Sequence, residues 1–298
     1  MRRSGKTTCT SVHLKPTSVP GRLEGKVAIV TGGGHNVGRA VAVGFAREGA
    51  RVVVAGRRRE RLEATAAIIA AQGGTALPRA TDVTDLAQCE ALAAGALQHF
   101  GTIDVLACIA GGGGGYEELD AIDPAWWAQV VTLNLVGTFH AIRAVLPEMR
   151  RRRAGSILTC AGGGAFFPLV GVPASAYAAA KAGLSRLTDQ LAVELHAAGI
   201  RVNCLSPEQT WSPERMAEVE AEERRTGHPH PDRVANHPPE HAAELAVWLA
   251  SDDSAPLSGR SVSVNDTWWR DHAEVERVCA SMHAYTLRRV AADGCVPR

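Results

Sequence analysis

The stretch TGGGHNVG, residues 31–38, lies directly after the apolar run KVAIV and directly before a segment with helical spacing of its apolar residues. In that context the backbone N–H groups at the helix start can receive a pyrophosphate. Gly32 suits the tight turn, Gly38 suits close approach of helix and strand, and Asn36 is the non-glycine residue that best tolerates positive φ. The stretch therefore predicts a dinucleotide-binding loop, with an ordinary strand-to-helix turn as the alternative.

Around this loop, strand-like apolar runs alternate with segments of helical periodicity from residue 26 onward. The alternation predicts the α/β class, with a Rossmann-type doubly wound parallel sheet. A chain of 298 residues, 46% of them hydrophobic, fits a single domain of this kind. Asp123 and Pro124 predict a helix start, since aspartate caps helices and proline suits the first turn. The strand-like runs are KVAIVT, RVVVAG, TALPRATDV, IDVLACIAG, GSILTCAG, IRVNCLS and RSVSVN.

Charge and apolar runs restrict the class of partner. Lysine and arginine total 32 against 31 aspartate and glutamate, so no basic excess indicates nucleic acid or an anionic membrane as partner. Runs such as VAIV and VVVA are strand-sized and far shorter than the roughly 20 residues of a membrane helix. We therefore expect a soluble protein with a small-molecule substrate.

Cysteine and histidine usage and the chain start add three expectations. Seven cysteines without a CxxC pair indicate reduced thiols and a cytoplasmic location. His228, His230 and His237 lack helical HxxxH spacing and a nearby cysteine, so we expect no metal. Residues 1–22 are polar, basic and without the apolar core of a signal peptide, which predicts a mobile N-terminal tail.

The end of the second strand bears on the choice of cofactor. RVVVAG runs into Arg57, Arg58 and Arg59, and neither Ala55 nor Gly56 supplies the carboxylate that would bind an adenosine ribose. A guanidinium there can pair bidentately with a 2′-phosphate, which favours NADP(H), with NAD(H) as the alternative. The competing interpretation is that GRRRERLE is only a charged first helical turn.

Tyr177 and Lys181, in the segment YAAAK, lie one turn apart on the same face of a predicted helix. Lowering a phenol pKa from about 10 to about 7 needs about 4 kcal/mol of phenolate stabilisation. A nearby ammonium and a cationic nicotinamide can supply this, which would make Tyr177 a general acid–base.

Over residues 23–266 the chain resembles the short-chain dehydrogenase/reductase family. TGGGHNVG is similar to the family's TGxxxGxG, Asp82 and Val83 to its adenine-contacting pair, and YAAAK to its active-site pair. Asn134 in VTLNLVG matches its helix asparagine, and IRVNCLSP resembles the segment after its sixth strand. The resemblance implies a Rossmann fold and a nicotinamide cofactor.

The resemblance also implies residue roles. Tyr177 would donate or accept the proton, Lys181 would bind the nicotinamide ribose, and Asn134 would support a water-mediated proton relay. These three form the predicted catalytic set. The predicted cofactor-binding residues are Gly32, Gly34, Asn36, Val37, Gly38, Arg57, Asp82, Val83, Ala110, Gly111, Tyr177, Lys181 and Pro207.

Three segments depart from the family pattern. Gly162 stands where the family has a serine that binds the substrate carbonyl, and losing one such donor costs about 10² to 10³ in rate. Backbone N–H groups of residues 162–164, Thr159 and Ser175 are the candidate replacements. CIAG, residues 108–111, replaces the family's NNAG. Glu208 follows Pro207 where a glycine is usual, and we expect a solvent-facing carboxylate, with binding of a polyol hydroxyl or a cation as the alternative.

The substrate side is predicted from three further stretches. Residues 208–240 are polar, charged and proline-bearing, where the family has its substrate lid. Phe166 and Phe167 precede Tyr177 and either line a pocket or pack ordinarily. Residues 267–298 extend past the usual family end, with Val275, Val278, Met282 and Tyr285 at helical spacing. The resemblance implies a homodimer or homotetramer, and the extension would reinforce subunit contacts or close a pocket.

The leading hypothesis is an NADP(H)-dependent oxidoreductase that interconverts a ketone and a secondary alcohol. The substrate would be small, either hydroxylated like a sugar or cyclitol, or acyl-type like a 3-oxoacyl or polyketide ketone. The alternative is a catalytically impaired dinucleotide-binding sensor or assembly protein of the same fold, motivated by Gly162, Glu208 and the CIAG segment. Retention of Asn134, Tyr177 and Lys181 argues against that alternative.

Overall fold

The computed structural model describes residues 21–113, 116–281 and 283–287. The predicted N-terminal tail lies outside these ranges except for its last two residues, and so do Met282 and the end of the predicted C-terminal extension. The five cysteines in the described ranges are free thiols, and four of them are buried.

A seven-stranded parallel sheet forms the middle layer of the described chain. Its strands are β1 (Val27–Thr31), β2 (Arg51–Gly56), β3 (Thr75–Ala80), β4 (Val105–Cys108), β5 (Gly155–Cys160), β6 (Ile200–Ser206) and β7 (Ser261–Ser263). Their order, β3-β2-β1-β4-β5-β6-β7, reverses direction at the β1–β4 pair. Each strand lies within one of the predicted runs, and the predicted Rossmann-type sheet is confirmed. In sheets of this type ligands bind at the carboxyl ends of the strands beside such a switch point.

Helices cover both faces of the sheet. They are α1 (Asn36–Arg47), α2 (Arg59–Ala71), α3 (Leu86–Phe100), α4 (Pro124–Val131), α5 (Gly137–Arg152), α6 (Ser175–His196), α7 (Pro213–Thr226), α8 (Pro239–Ala250) and α9 (His272–Ala280). Side chains alternate along β1, so that Ala28 and Val30 pack with α1 and α8 while Ile29 packs with α3 and α5. The sheet therefore separates two apolar cores.

A π-helical segment, Thr132–Val136, joins α4 to α5. The predicted cap at the start of α4 is present, because the Asp123 carboxylate accepts a hydrogen bond of 2.9 Å from the Ala125 N–H. The continuous helical run Pro124–Arg152 has the length and hydropathy of a membrane span, with a mean hydropathy of 1.4. Such a run was not predicted from the sequence, because only uninterrupted apolar stretches were considered. It packs on α3, α6 and the sheet, and a core helix of an α/β fold has the same composition.

The segment after β7 packs on the core of its own chain. Trp268 and Trp269 are buried against Trp248, with ring centroids 5.9 and 5.5 Å apart. The Tyr285 carbonyl accepts a hydrogen bond of 2.8 Å from the Ser261 N–H and so covers the sheet edge. The helical spacing predicted as far as Tyr285 is wrong beyond Ala280, because α9 ends there and Tyr285 has a φ of 56°.

Replacing Trp268 tests this aromatic cluster. Trp268 is 8% exposed, and its ring also stacks on Tyr285 at 4.8 Å. Trp268→Ala should lower the free energy of unfolding by about 3–5 kcal/mol, measured by urea denaturation and circular dichroism. The control Phe167→Ala removes a side chain that is 79% exposed and should change stability by less than about 0.5 kcal/mol. Equal effects of the two variants would show that the cluster does not stabilise the fold.

Candidate active site

The glycine loop has the backbone geometry that its sequence predicts. Gly32 has a φ of 69° and Asn36 a φ of 40°, both in the left-handed region. A Cβ atom at position 38 would lie 2.1 Å from the Gly32 carbonyl oxygen, so only glycine lets α1 approach the end of β1 this closely. The loop therefore turns tightly from β1 into α1.

The start of α1 leaves polar groups available for a ligand. The N–H groups of a first helical turn have no partner within the helix, and the His35 side chain does not cap them. The Asn36 Nδ2 donates to the Thr210 carbonyl at 3.1 Å, whereas its Oδ1 is buried without a hydrogen-bond partner among the described residues. An orphaned buried acceptor and an uncapped helix N-terminus fit the binding of a hydroxylated, anionic group.

A groove of about 320 Å³ runs from this loop along the carboxyl ends of β2, β3 and β4. Ten predicted cofactor-binding residues line it: Gly32, Gly34, Asn36, Val37, Gly38, Arg57, Asp82, Val83, Ala110 and Gly111. The other three do not line this groove: Tyr177 and Lys181 lie on α6, and Pro207 directly follows β6. The groove lies at the carboxyl ends of the strands beside the switch point, where ligands bind in sheets of this type.

Of the basic residues that line the groove, Arg57 and Arg58 were named from the sequence, whereas Arg61 and His35 were missed. Arg58, Arg61 and His35 line it together with Arg57, whereas Arg59 faces Glu63 at 3.8 Å. Arg61 reaches the loop because α2 begins at Arg59, and its Cβ lies 3.0 Å from where a Gly34 Cβ would be. A sequence prediction that started α2 at Arg59 would have placed Arg61 in the first turn of the helix, facing the loop.

Tyr177 and Lys181 lie together at the end of β5. The Lys181 Nζ donates to the Cys160 carbonyl at 2.8 Å and lies 5.4 Å from the centre of the Tyr177 ring. Burial raises the pKa of Tyr177, and charge on Cys160 and Tyr116 would raise it further. This direction is opposite to the lowered pKa expected from the sequence, because burial disfavours the phenolate and the ammonium is engaged with a carbonyl.

Asn134 fastens the loop that follows β4. Its Nδ2 donates to the carbonyls of Gly112 and Val130, both at 2.9 Å, and its Oδ1 accepts from the Gly112 N–H at 3.2 Å. The side chain is fully buried in the π-helical segment. The relay role of Asn134 stays a prediction, and the geometry adds a positioning role for the loop.

The missing serine at Gly162 has a structural counterpart. A Cβ atom at this position would lie 2.5 Å from the Tyr177 hydroxyl, so the phenol occupies space that a serine would need. The hydroxyls of Thr159 and Thr188 are buried and 2.6 Å apart, which removes Thr159 from the candidate donors. Ser175 is exposed, and its Oγ accepts from the Trp127 indole N–H at 3.1 Å, which leaves its own proton to donate.

Glu208 is not the solvent-facing carboxylate expected from the sequence. It has a φ of 53°, the region in which the family's glycine is favoured. Its carboxylate accepts from the hydroxyls of Ser206 at 2.9 Å and Ser263 at 2.7 Å. The nearby Asp266 has a raised pKa, mainly because of burial and also because of the charge on Glu208. The carboxylate therefore holds the ends of β6 and β7 together.

Comparison with known proteins agrees with this architecture. Residues 26–223 match the sequence profile described as short chain dehydrogenase. A NAD-dependent oxidoreductase of Mycobacterium tuberculosis is 34% identical over 271 residues, which cover 82% of this chain and 96% of the relative. The levodione reductase of Leifsonia aquatica is 33% identical, covering 82% of this chain and 94% of that protein. The solved structure of an actinorhodin polyketide ketoreductase with NADPH has a TM-score of 0.72 at 29% identity, covering 80% of this chain and 95% of the other.

The sheet, the glycine loop and these relatives define an NAD(P)-dependent oxidoreductase. The chain belongs to the short-chain dehydrogenase/reductase family.

Replacing Gly38 tests the loop. Gly38→Ala places a methyl group 2.1 Å from the Gly32 carbonyl oxygen, which forces the loop and α1 apart. Overpacking of this kind costs about 1–3 kcal/mol, so NADPH and NADH should bind about tenfold to a hundredfold more weakly in a fluorescence titration. Gly95→Ala is the matched control, because it changes another helical glycine whose nearest neighbour would be 3.5 Å away. Unchanged binding in Gly38→Ala would contradict the assignment of the loop.

Restoring the family's serine tests the space beside Tyr177. The test uses a ketone that the wild-type protein reduces. Gly162→Ser should lower kcat for this ketone by about tenfold or more, because the new side chain displaces the phenol. The Kd for the dinucleotide should stay the same. Gly163→Ser is the control, since a Cβ there would meet only the end of the Leu169 side chain, at 3.1 Å. A higher kcat in Gly162→Ser would show that the serine position is vacant.

Proposed function

We propose that this protein is an NADP(H)-dependent oxidoreductase that interconverts a ketone and a secondary alcohol, with Tyr177 moving the proton. The observation that carries the proposal is the position of the Tyr177 hydroxyl over Gly162, beside the buried Lys181 and along the sheet from the dinucleotide groove. Asn134, Tyr177 and Lys181 form the proposed catalytic set.

The groove residues fit a nicotinamide dinucleotide. When bound, that cofactor supplies or accepts the hydride that reaches or leaves the carbonyl carbon. The uncapped N-terminus of α1 would bind the pyrophosphate, and Lys181 would exchange its bond to the Cys160 carbonyl for bonds to the nicotinamide ribose. The proposed binding residues are Gly32, Gly34, Asn36, Val37, Gly38, Arg57, Asp82, Val83, Ala110, Gly111, Tyr177, Lys181 and Pro207.

The preference for NADP(H) rests on the charge at the end of β2. Arg57, Arg58 and Arg61 line the groove, and no carboxylate is present at Ala55 or Gly56 to bind the ribose hydroxyls. Guanidinium groups bind a 2′-phosphate bidentately. The unphosphorylated ribose of NAD(H) offers no such pair of anionic oxygens. The relatives include a protein named as NAD-dependent and one solved with NADPH, so the preference is argued from the arginines of this chain.

Proton movement follows from the burial of Tyr177. Because burial raises the pKa of the phenol, it holds its proton at neutral pH, which is the state needed for ketone reduction. The phenol then gives its proton to the substrate oxygen as that oxygen gains charge. In alcohol oxidation the phenolate takes the proton, and the nearby Lys181 ammonium stabilises the phenolate. Ser175 and the backbone N–H groups of residues 162–164 are the remaining candidates to hold the carbonyl.

Exposed apolar side chains support a substrate with an apolar body. They lie on three segments: the loop after β4, the start of α4, and the loop between β5 and α6 that leads to Tyr177. The Glu208 Oε1 accepts hydrogen bonds from two serines, which leaves this carboxylate less available to a polyol hydroxyl. This favours an acyl-type ketone over a sugar or cyclitol. The exposed side chains are Tyr116, Leu119, Trp126, Phe166, Phe167, Val170 and Val172.

Domain limits, location and assembly form part of the same proposal. Residues 23–266 would form the catalytic domain, with a substrate lid at 208–240 that contains α7, and 267–298 would be an added C-terminal extension. We propose a cytoplasmic homodimer or homotetramer. Exposed Phe139 on α5 and Val193 on α6 support contacts between subunits through these helices. The alternative of an impaired sensor is not favoured, since the relatives reported above are named as an oxidoreductase and reductases.

The proposal is tested with Tyr177→Phe on a panel of apolar and hydroxylated ketones, followed by NADPH absorbance. Removing a general acid–base should lower kcat by about 10² to 10⁴ and change the Kd for NADPH by less than about twofold. Tyr285→Phe, a phenol in the C-terminal segment, is the control. Full turnover in Tyr177→Phe would refute the mechanism. A wild-type protein that binds NADPH but converts no ketone or alcohol would support the sensor.

A further inference from the structure

One carboxylate of α7 contacts both the glycine loop and α2. Glu214 lies in the first turn of α7, where its Oε2 is 3.1 Å from the His35 Nε2 and its Oε1 is 3.5 Å from an Arg61 guanidinium nitrogen. Both partners line the dinucleotide groove. Glu214 therefore places a negative charge beside Arg61 at the groove.

The chain leading into α7 is also fastened above the loop. Thr210 accepts the side-chain hydrogen bond from Asn36, and the Trp211 N–H donates to the Asn236 Oδ1 at 2.7 Å. The N-terminus of α7 is thereby held where Glu214 can reach the groove. The backbone just before Ser212 is therefore fixed, which sets the position from which the Glu214 side chain reaches Arg61.

Of the two partners of Glu214, Arg61 is the one that forms an ion pair with the carboxylate. Burial lowers the pKa of His35, which favours the uncharged ring in its 3.1 Å contact with the carboxylate. Among the arginines that line the groove in the described part of the chain, Arg61 is the one with a carboxylate partner. Among the described residues, Arg57 and Arg58 have no carboxylate partner that a ligand would have to displace.

We propose that Glu214 competes with the 2′-phosphate of NADP(H) for the Arg61 guanidinium, and so limits how strongly the protein prefers NADP(H) over NAD(H). This inference rests on the proposed NADP(H) specificity. A 2′-phosphate would take Arg61 from Glu214, because it carries more charge and offers several acceptor oxygens. NAD(H) has no such phosphate and leaves the Glu214–Arg61 pair intact. Only NADP(H) therefore has to break the Glu214–Arg61 contact.

The test is the Kd for NADPH and for NADH in Glu214→Gln. An exposed ion pair contributes up to about 1 kcal/mol, so NADPH should bind about threefold to fivefold more tightly, with the Kd for NADH changed by less than about 1.5-fold. Glu218→Gln is the matched control. It removes the same charge one turn further along α7, where the carboxylate pairs with Arg215 at 3.1 Å, and it should leave the ratio of the two Kd values unchanged.

A second variant identifies Arg61 as the shared group. Arg61→Gln should weaken NADPH binding selectively, and adding Glu214→Gln to it should have no further effect on the NADPH:NADH ratio. A Glu214→Gln protein with an unchanged ratio, or with both cofactors tightened equally, would overturn the competition while leaving the NADP(H) assignment in place. Tighter binding of NADH by the wild-type protein, with no selective loss in Arg61→Gln, would overturn the NADP(H) assignment and the competition with it.

Discussion

Helix α1 begins directly over the end of β1, and this close approach depends on the absence of a side chain at position 38. The Gly32 carbonyl fills the space that a Cβ would need, and the positive φ at Gly32 and Asn36 turns the chain between them. Thr31, at the end of β1, accepts the Ala110 N–H at 3.1 Å, which ties the loop to the end of β4. The groove, its uncapped helix start and the strand order around it all depend on this packing.

The departures from the family pattern are compensated by their neighbours. At Gly162 the lost serine leaves space that the Tyr177 hydroxyl occupies, and at Glu208 the lost glycine is replaced by a side chain that Ser206 and Ser263 bind. Asn36 keeps the left-handed conformation of the glycine it replaces. These substitutions preserve the backbone path and change which polar groups face the ligand, so they bear on rate and substrate rather than on the fold.

Local signals in the sequence were enough to predict the sheet and the glycine loop. Apolar runs that alternate with helical segments locate all seven strands. Tolerance of a positive φ at Gly32 and Asn36 follows from the residue type alone. Arg61, His35 and Glu214 could not be predicted as a group, because they meet through the packing of α2, the loop and α7, which are separated by up to 179 residues in the chain. The serines around Glu208 and the fold of the segment after β7 likewise depend on long-range contacts.

The most direct test of this account is a fluorescence titration of the wild-type protein with NADPH and NADH, because it needs no knowledge of the substrate. If the loop and the arginines act as described, both cofactors bind with one site per chain and NADPH binds more tightly. Failure of both to bind would contradict the central claim, since it would mean that a loop with Asn36 in place of glycine does not hold a dinucleotide.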